Sequence, residues 1–518
     1  MRSNTRSWFA ALLCMPLVAI NGLAQAQALA PRSNAVPKPI EEVIQIVNHH
    51  CGACHKVPPP NILPKKNWPG VVQTMADLSH KMMGKVFISE EHLHDIKAYY
   101  YGSSPTELPR LPYLPASKSP VAFQVRELGA GSSKPLAVDI APGLSGTATD
   151  FLLADAEQKK LLQLVRKGDQ WQEKTLARAE VPVNTQVVDI DADGDKDILL
   201  ADLGMLPPAS DKVGKVYLLR QQQAGQFTQE LLIGDLGRVT DAQAADLDGD
   251  GDLDIAIAVF GGNNQGEIIW LENRAGQYHR QQLLAVAGAL NITPTDLNGD
   301  GLIDLVALIA QEHEMIVGFI NRGAGQFERD VLARAPHPMF GSTSMTLVDM
   351  DKDGDVDIVF TNGDAFDLQT EPKPYHGVQW LENRGKLQFQ FHDIGRFYGA
   401  AHVVAGDMDG DGDVDIVASS WVNFWRDPNR QTLVWYENNG RHQFTAHPMA
   451  NQPAGLVSLQ LVDVTGDGRL DIVAAAFRMD LLLDDLGFNS PPEVRPDPAT
   501  TAKQNARVLV FENKAAAK

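Results

Sequence analysis

Asp407-Met408-Asp409-Gly410-Asp411-Gly412-Asp413-Val414-Asp415 runs directly into Ile416-Val417-Ala418, an acidic loop delivering a short apolar strand. The same pattern starts at Asp189, Asp246, Asp296, Asp349 and Asp463, so that successive copies lie 50–58 residues apart. A fixed period of this size marks an array of supersecondary units. Around each loop the unit repeats further features. A strand ending in an aromatic residue and Glu-Asn follows, as in Trp270-Leu271-Glu272-Asn273, Trp380-Leu381-Glu382-Asn383 and Trp435-Tyr436-Glu437-Asn438. A glycine turn and an aromatic, as at Gly225–Phe227 and Gly325–Phe327, then open a further strand. Four short strands per unit make one propeller blade.

Six regular units follow a degenerate one that begins near Asp139, with strands expected around Phe151–Ala154 and Leu161–Val165. The count is seven. The last unit ends at Val508–Asn513 without a fourth strand, while Val121–Leu128 precedes the first unit and has the character of one. Pairing the two would close the ring and remove its exposed edges. The predicted fold is therefore an all-β seven-bladed propeller over residues 121–514. This region resembles the FG-GAP/VCBS repeat family, whose propellers include the integrin α head.

The loops read D-x-[DN]-x-D-G-x-x-D, with side-chain oxygens at positions 1, 3, 5 and 9, a backbone carbonyl at 7 and glycine at 6 for the sharp turn. Hard oxygen ligands in a short loop suit Ca²⁺. The candidate ligands are Asp189, Asp191, Asp193 and Asp197; Asp246, Asp248, Asp250 and Asp254; Asp296, Asn298, Asp300 and Asp304; Asp349, Asp351, Asp353 and Asp357; Asp407, Asp409, Asp411 and Asp415; and Asp463, Asp467 and Asp471. Up to six ions are expected. Thr465 replaces the position-3 carboxylate and weakens the last site. In the first unit Asp139 is followed by Ala141 and Gly143, so no ion is expected there. An EF-hand would need Glu at position 12 and flanking helices; here a strand follows.

A different chemistry stands upstream, at His50-Cys51-Gly52-Ala53-Cys54-His55. C-x-x-C-H spaces two thiols for the two vinyl groups of one haem and sets the histidine beneath the iron. A thioredoxin-like pair would need a βαβ context, and a zinc site a second cysteine pair. Ile40, Val43, Ile44 and Val47 form an i, i+3, i+4, i+7 stripe leading into the motif. Pro58-Pro59-Pro60 interrupts helix, Trp68-Pro69 opens a second helix to about Lys81, and Ser89-Glu90-Glu91 starts a third with Leu93, Ile96 and Tyr100 inward. Residues 37–103 resemble a small all-α class I cytochrome c domain, which implies covalent haem c on Cys51, Cys54 and His55. The W-x6-M spacing from Trp68 to Met75 resembles several such domains and implies Met75 as the sixth iron ligand; Met82, Met83, His80, His92 and His94 remain alternatives.

Arg2, Arg6, an apolar run from Trp8 to Ile20 and Ala24-Gln25-Ala26 describe a secretory signal peptide over residues 1–26 and hence a periplasmic or secreted protein. Cys14 follows Leu12-Leu13, which argues against lipidation, and leaves Cys51 and Cys54 as the mature chain's only cysteines. No later stretch is long and apolar enough to span a bilayer. The net charge of −20 excludes nucleic acid as a natural partner. Residues 104–120, with prolines 105, 109, 112, 115 and 120, read as a semi-rigid spacer.

Strand connections alternate between the two faces of a propeller, so the acidic loops share one face and the long insertions Gly204–Gly214, Gly363–Gly377, Trp421–Thr432 and Arg478–Ala506 share the other. Long loops on one rim point to binding of a redox partner protein or small substrate. Trp421, Phe424 and Trp425 would offer an aromatic platform there, with Tyr398 and His402 nearby, unless they pack the loops. No catalytic triad, phosphate loop or zincin helix is present. The haem motif favours a single-electron carrier. A haem-dependent oxidoreductase with substrate on the propeller, and an adhesion or glycan-binding propeller with accessory haem, are the alternatives.

Overall fold

The computed structural model describes residues 38–115, 119–207, 209–262, 265–365, 371–485, 491–498 and 504–515. The expected signal peptide, with Cys14, lies outside them. The chain divides into two units, Met1–Leu108 and Pro109–Lys518.

The described part of the first unit holds three α-helices and a short 3-10 turn at Pro60–Ile62. Helix α1 (Ile40–Cys51) ends on the first cysteine of the C-x-x-C-H motif. Helix α2 (Trp68–Met83) begins with tryptophan and proline in its first turn and stops at Gly84, whose φ of +65° suits a residue without Cβ. In α3 (Glu90–Ser103), the Ser89 hydroxyl caps the helix by accepting the His92 N–H at 3.2 Å. Trp68 stacks on Tyr100 with ring centroids 4.0 Å apart, and both bind the polyproline turn: the Trp68 indole donates to the Pro60 carbonyl and the Tyr100 hydroxyl to that of Pro58, each at 2.9 Å. These bonds hold the turn that follows the motif. The buried face of α1 is Val43–Ile46–Val47–His50, part-buried at Val43, and not the expected stripe; Ile40 and Ile44 are exposed. Both faces are apolar enough to satisfy the spacing rule, and packing against α3 selects the one that carries His50, which is hydrogen-bonded to His92 at 2.8 Å.

The second unit is a seven-bladed propeller. Seven four-stranded antiparallel sheets follow one another. Six take their strands in chain order, starting at Ala137, Pro182, Val239, Ala289, Ser342 and Ala400. In the seventh, Leu456–Val462, Asp471–Ala476 and Val508–Ala515 are completed by Val121–Leu128, with Val121 opposite Ala515 and Leu128 opposite Val508. The innermost strand of every blade touches those of both neighbours, closing the ring. Second strands such as Asp254–Val259 are buried throughout. Apolar clusters fill each of the seven junctions between blades, and Ile257 with Leu218 or Val417 with Phe511 show the pattern of branched and aromatic chains interlocking across two sheets.

Two expectations shift. Asp139 does not open an acidic loop. It lies in the innermost strand Ala137–Pro142, where its part-buried carboxylate accepts from Ser458 of blade 7 at 2.9 Å and Thr185 of blade 2 at 3.4 Å. The loop of blade 1 is 143–149, starting four residues later, and Asp150 occupies the position of Asp197 and Asp254. The expected spacer also belongs to both units. Ser104 and Pro105 are tied to Pro60 and Lys65, whereas the chain from Pro109 to Pro115 lies on the propeller without helix or strand.

Candidate functional site

In the acidic loops, the last aspartate forms the base. Asp197, Asp254, Asp304, Asp357, Asp415 and Asp471 are buried. One carboxylate oxygen of each accepts a backbone N–H from the end of the third strand, at Gln221, Asn273, Asn321, Asn383, Asn438 or Asn513, at 2.6–2.8 Å. The other accepts the N–H of loop position 2, as from Leu247 at 3.1 Å and Met408 at 3.0 Å. Position 9 is therefore a bracket binding loop to strand, and in blade 6 a carboxylate oxygen of Asp415 also converges with those of Asp407 and Asp409. Burial pushes Asp254 and Asp357 up to about 6 and Asp415 up to about 7.

The earlier positions build the cradle. Asp246 accepts the N–H of Gly249 at 2.8 Å and of Gly251 at 3.1 Å, and Asp407 accepts those of Gly410 at 2.7 Å and Gly412 at 3.0 Å. Gly251 and Gly412 both stand at φ +95°, the turn that sends the backbone round the carboxylates. Ligand oxygens converge within 4.8 Å of one another in four sets: Asp189, Asp191 and Asp193; Asp246, Asp248 and Asp250; Asp349, Asp351 and Asp353; and Asp407, Asp409 and Asp415. Burial, and after it the neighbouring carboxylates, hold Asp351 and Asp409 above the usual range. A cation of high charge and oxygen preference would relieve that repulsion.

The loops are not equivalent, and the third-strand residue before the Asn decides how. Glu272, Glu382 and Glu437 stand close enough to Asp248, Asp351 and Asp409 to raise them, adding negative charge to three loops. At the corresponding place in blade 2 is Arg220, which pairs with Asp191 and supplies a cation of the chain's own. Even so, one oxygen of Asp189 is buried without a hydrogen-bond partner among the described residues. Ile320 takes the place in blade 4, where the Asn298 amide donates to Asp300 at 3.0 Å. In blade 7 the place again holds a glutamate, Glu512, but it is paired with Arg126 and Lys514, and within the loop Arg469 pairs with Asp467. Charge therefore concentrates at Asp246, Asp349 and Asp407, and the donor sets there fit Ca²⁺.

The Asn at the end of the third strand has a role that its position does not reveal. Asn321 donates to the Leu247 carbonyl at 2.7 Å and Asn513 to that of Met408 at 2.6 Å, each carbonyl lying in the acidic loop of the preceding blade. The loops of blades 3 and 4, and of blades 6 and 7, are stitched together in this way.

Four stretches, 189–257, 296–360, 370–418 and 422–474, match the family model described as FG-GAP-like repeat. The chain carries FG-GAP repeats. All six acidic loops fall within the matched stretches, while blade 1 and residues 38–108 fall outside them. No curated protein matches the chain. Among solved structures, Saccharomyces cerevisiae Sqt1 is similar at 12% identity and a TM-score of 0.41, over 67% of this chain and 95% of that one.

On the face opposite the FG-GAP loops, the expected aromatic platform is not exposed. Tyr398, Phe424 and Trp425 are 3%, 5% and 9% exposed, and the Trp421 indole donates to the Gly363 carbonyl at 3.0 Å. They pack the insertions and the proline-rich segment, the commoner use of such rings. His402 lies in the innermost strand of blade 6, Ala400–Gly406.

In the first unit Cys51 is part-buried and Cys54 exposed, and both are free thiols. Burial pushes the Cys51 thiol up to about 11, unlike the lowered thiol of a dithiol redox site. The His55 Nδ1 donates to the Lys56 carbonyl at 2.9 Å. This fixes the tautomer that leaves Nε2 with its lone pair, the arrangement a ring nitrogen needs to bind a metal. Met75 and Met83 are exposed, at 43% and 40%, as are Ile40, Ile44 and Val86. The side chain of Met82 lies outside the described residues. Exposed apolar chains in the unit that carries a free C-x-x-C-H would suit the burial of a porphyrin.

Proposed function

We propose that the chain is an exported c-type cytochrome that moves single electrons, with a calcium-braced propeller that docks its redox partner. The observation that carries this reading is the state of His55 beside the two free thiols: Nδ1 is engaged by a backbone carbonyl and Nε2 is left as a ligand. Cys51 and Cys54 would hold haem c as thioethers, His55 would bind the iron, and Met75 is the favoured group opposite. Bound there, the haem would supply a reversible one-electron couple, which a thioether ligand raises in potential. The protein's own part is to fix the His55 ring, to hold the turn after the motif through Trp68 and Tyr100, and to cover one side of the haem with apolar chains. Calcium at the Asp246, Asp349 and Asp407 loops would bind the blades rather than take part in chemistry.

A redox titration of the holoprotein followed by exposure to carbon monoxide tests this. A low-spin haem with a one-electron transition, unaffected by carbon monoxide and peroxide, is expected. A carbon monoxide complex of the reduced protein would instead mean an open iron position and a haem enzyme.

A further inference from the structure

Pro109-Arg110-Leu111-Pro112-Tyr113-Leu114-Pro115 places proline at every third residue. Three residues per turn is the period of polyproline II, a left-handed helix whose main-chain groups are all free to pair outward. At this period Leu111 and Leu114 share one side, and Arg110 and Tyr113 a second. The propeller receives the two sides differently. Leu111 packs beside Tyr398, Phe424 and Val494, and Leu114 against the core between blades 5 and 6. The Arg110 guanidinium lies 3.5 Å from the centre of the Phe424 ring and 4.0 Å from Glu493, and that of Arg430 lies 4.7 Å from the centre of the Tyr113 ring.

The main chain is bound as well. The Tyr398 hydroxyl accepts the Leu111 N–H at 2.6 Å, and Arg430 donates to the carbonyls of Leu111 at 2.8 Å and Pro112 at 3.3 Å. Arg430 is held in place by the Tyr398 ring at 5.1 Å and by Asp427 at 3.5 Å. Aromatic walls, donors aimed at free carbonyls and an acidic residue at the arginine end are what recognition of a proline-rich peptide requires.

We infer that the groove formed by Tyr398, Phe424 and Arg430 on the insertion-bearing face is a binding site for a P-x-x-P peptide, occupied in cis by the chain's own linker. A ligand tethered within the same chain acts at an effective concentration of order millimolar, so modest affinity keeps the groove filled. The preformed polyproline helix also loses little entropy on docking.

Hydrogen exchange at the Leu111 amide in the full-length protein, combined with binding of a labelled Glu107–Pro115 peptide, tests the inference. Arg110→Ala with Tyr113→Ala changes the linker alone and leaves the propeller's residues untouched. In this variant Leu111 should exchange at least about tenfold faster while the Leu271 amide of blade 3 is unchanged. The peptide should bind it at least about tenfold more tightly than it binds the wild type, because the resident ligand is weakened. Arg430→Ala should speed Leu111 exchange and abolish peptide binding. A wild-type Leu111 amide that exchanges like free chain, or a vacated groove that refuses the peptide, would overturn the assignment.

Discussion

Glu314 is a buried carboxyl before the third strand of blade 4, where its oxygens accept from the N–H groups of Gly341 and Ser342 at the start of blade 5, each at 3.0 Å, and from the Ser342 hydroxyl at 2.6 Å. Burial outweighs those donors and pushes it up to about 8. Its folded value lies above the unfolded one, so its contribution to stability is complete below about pH 4.5 and is lost as pH rises towards 8. Glu314→Gln turns an amide N–H towards a backbone N–H and should cost about 1–3 kcal/mol at pH 5. The gap to wild type should narrow between pH 5 and 8, since glutamine does not titrate. Denaturant melts across that range check the sign; a gap that widened would contradict it. Residues such as Glu314 and Arg507, whose guanidinium is buried against Asp155 at 2.6 Å and Glu173 at 2.5 Å, leave no trace in a local pattern. The partners of Glu314 lie up to 28 residues on, at the start of the next blade, and those of Arg507 more than 330 residues back, brought to it by closure of the ring.

The acidic loop is the element that sequence displays best, because its spacing is set by local turn geometry. Its differences in charge are not local. Arg220 meets Asp191 from a strand 29 residues on, and three loops gain a glutamate in the same way. Chelation of calcium should therefore lower the melting temperature through some loops and not others. Asp409→Asn should remove most of one site's calcium-dependent stability, about 2.7 kcal/mol for a site filled at a hundred times its Kd. Asp467→Asn, where Arg469 already neutralises the carboxylate, should shift melting equally with and without calcium. Equal calcium dependence in the two variants would contradict the ranking. The misplaced start at Asp139 has a related cause: an aspartate on the inner strand, at the inter-blade contact, looks like loop position 1 when no second acidic residue fixes the frame. The helices of residues 38–103 were legible from caps and prolines, but not the face of α1 that is buried.

At the scale of the molecule, seven blades and the seam between the chain's two propeller ends follow from counting repeats and noticing one strand missing at the end and one spare at the start. The fate of the aromatic insertions did not follow, because what covers Tyr398 and Phe424 is a segment almost 300 residues earlier in the chain. Composition marked that segment as extended, and its three-residue period is visible once the groove that receives it is known. The two units carry separate chemistries, oxygen cradles in one and a thiol pair with a preset histidine in the other. The intact mass of the purified, denatured protein is the most direct test of haem attachment. A mass above that of the bare polypeptide by one haem, lost when Cys51 and Cys54 are both changed to Ala, is the predicted result. A wild-type mass equal to the polypeptide alone would contradict it.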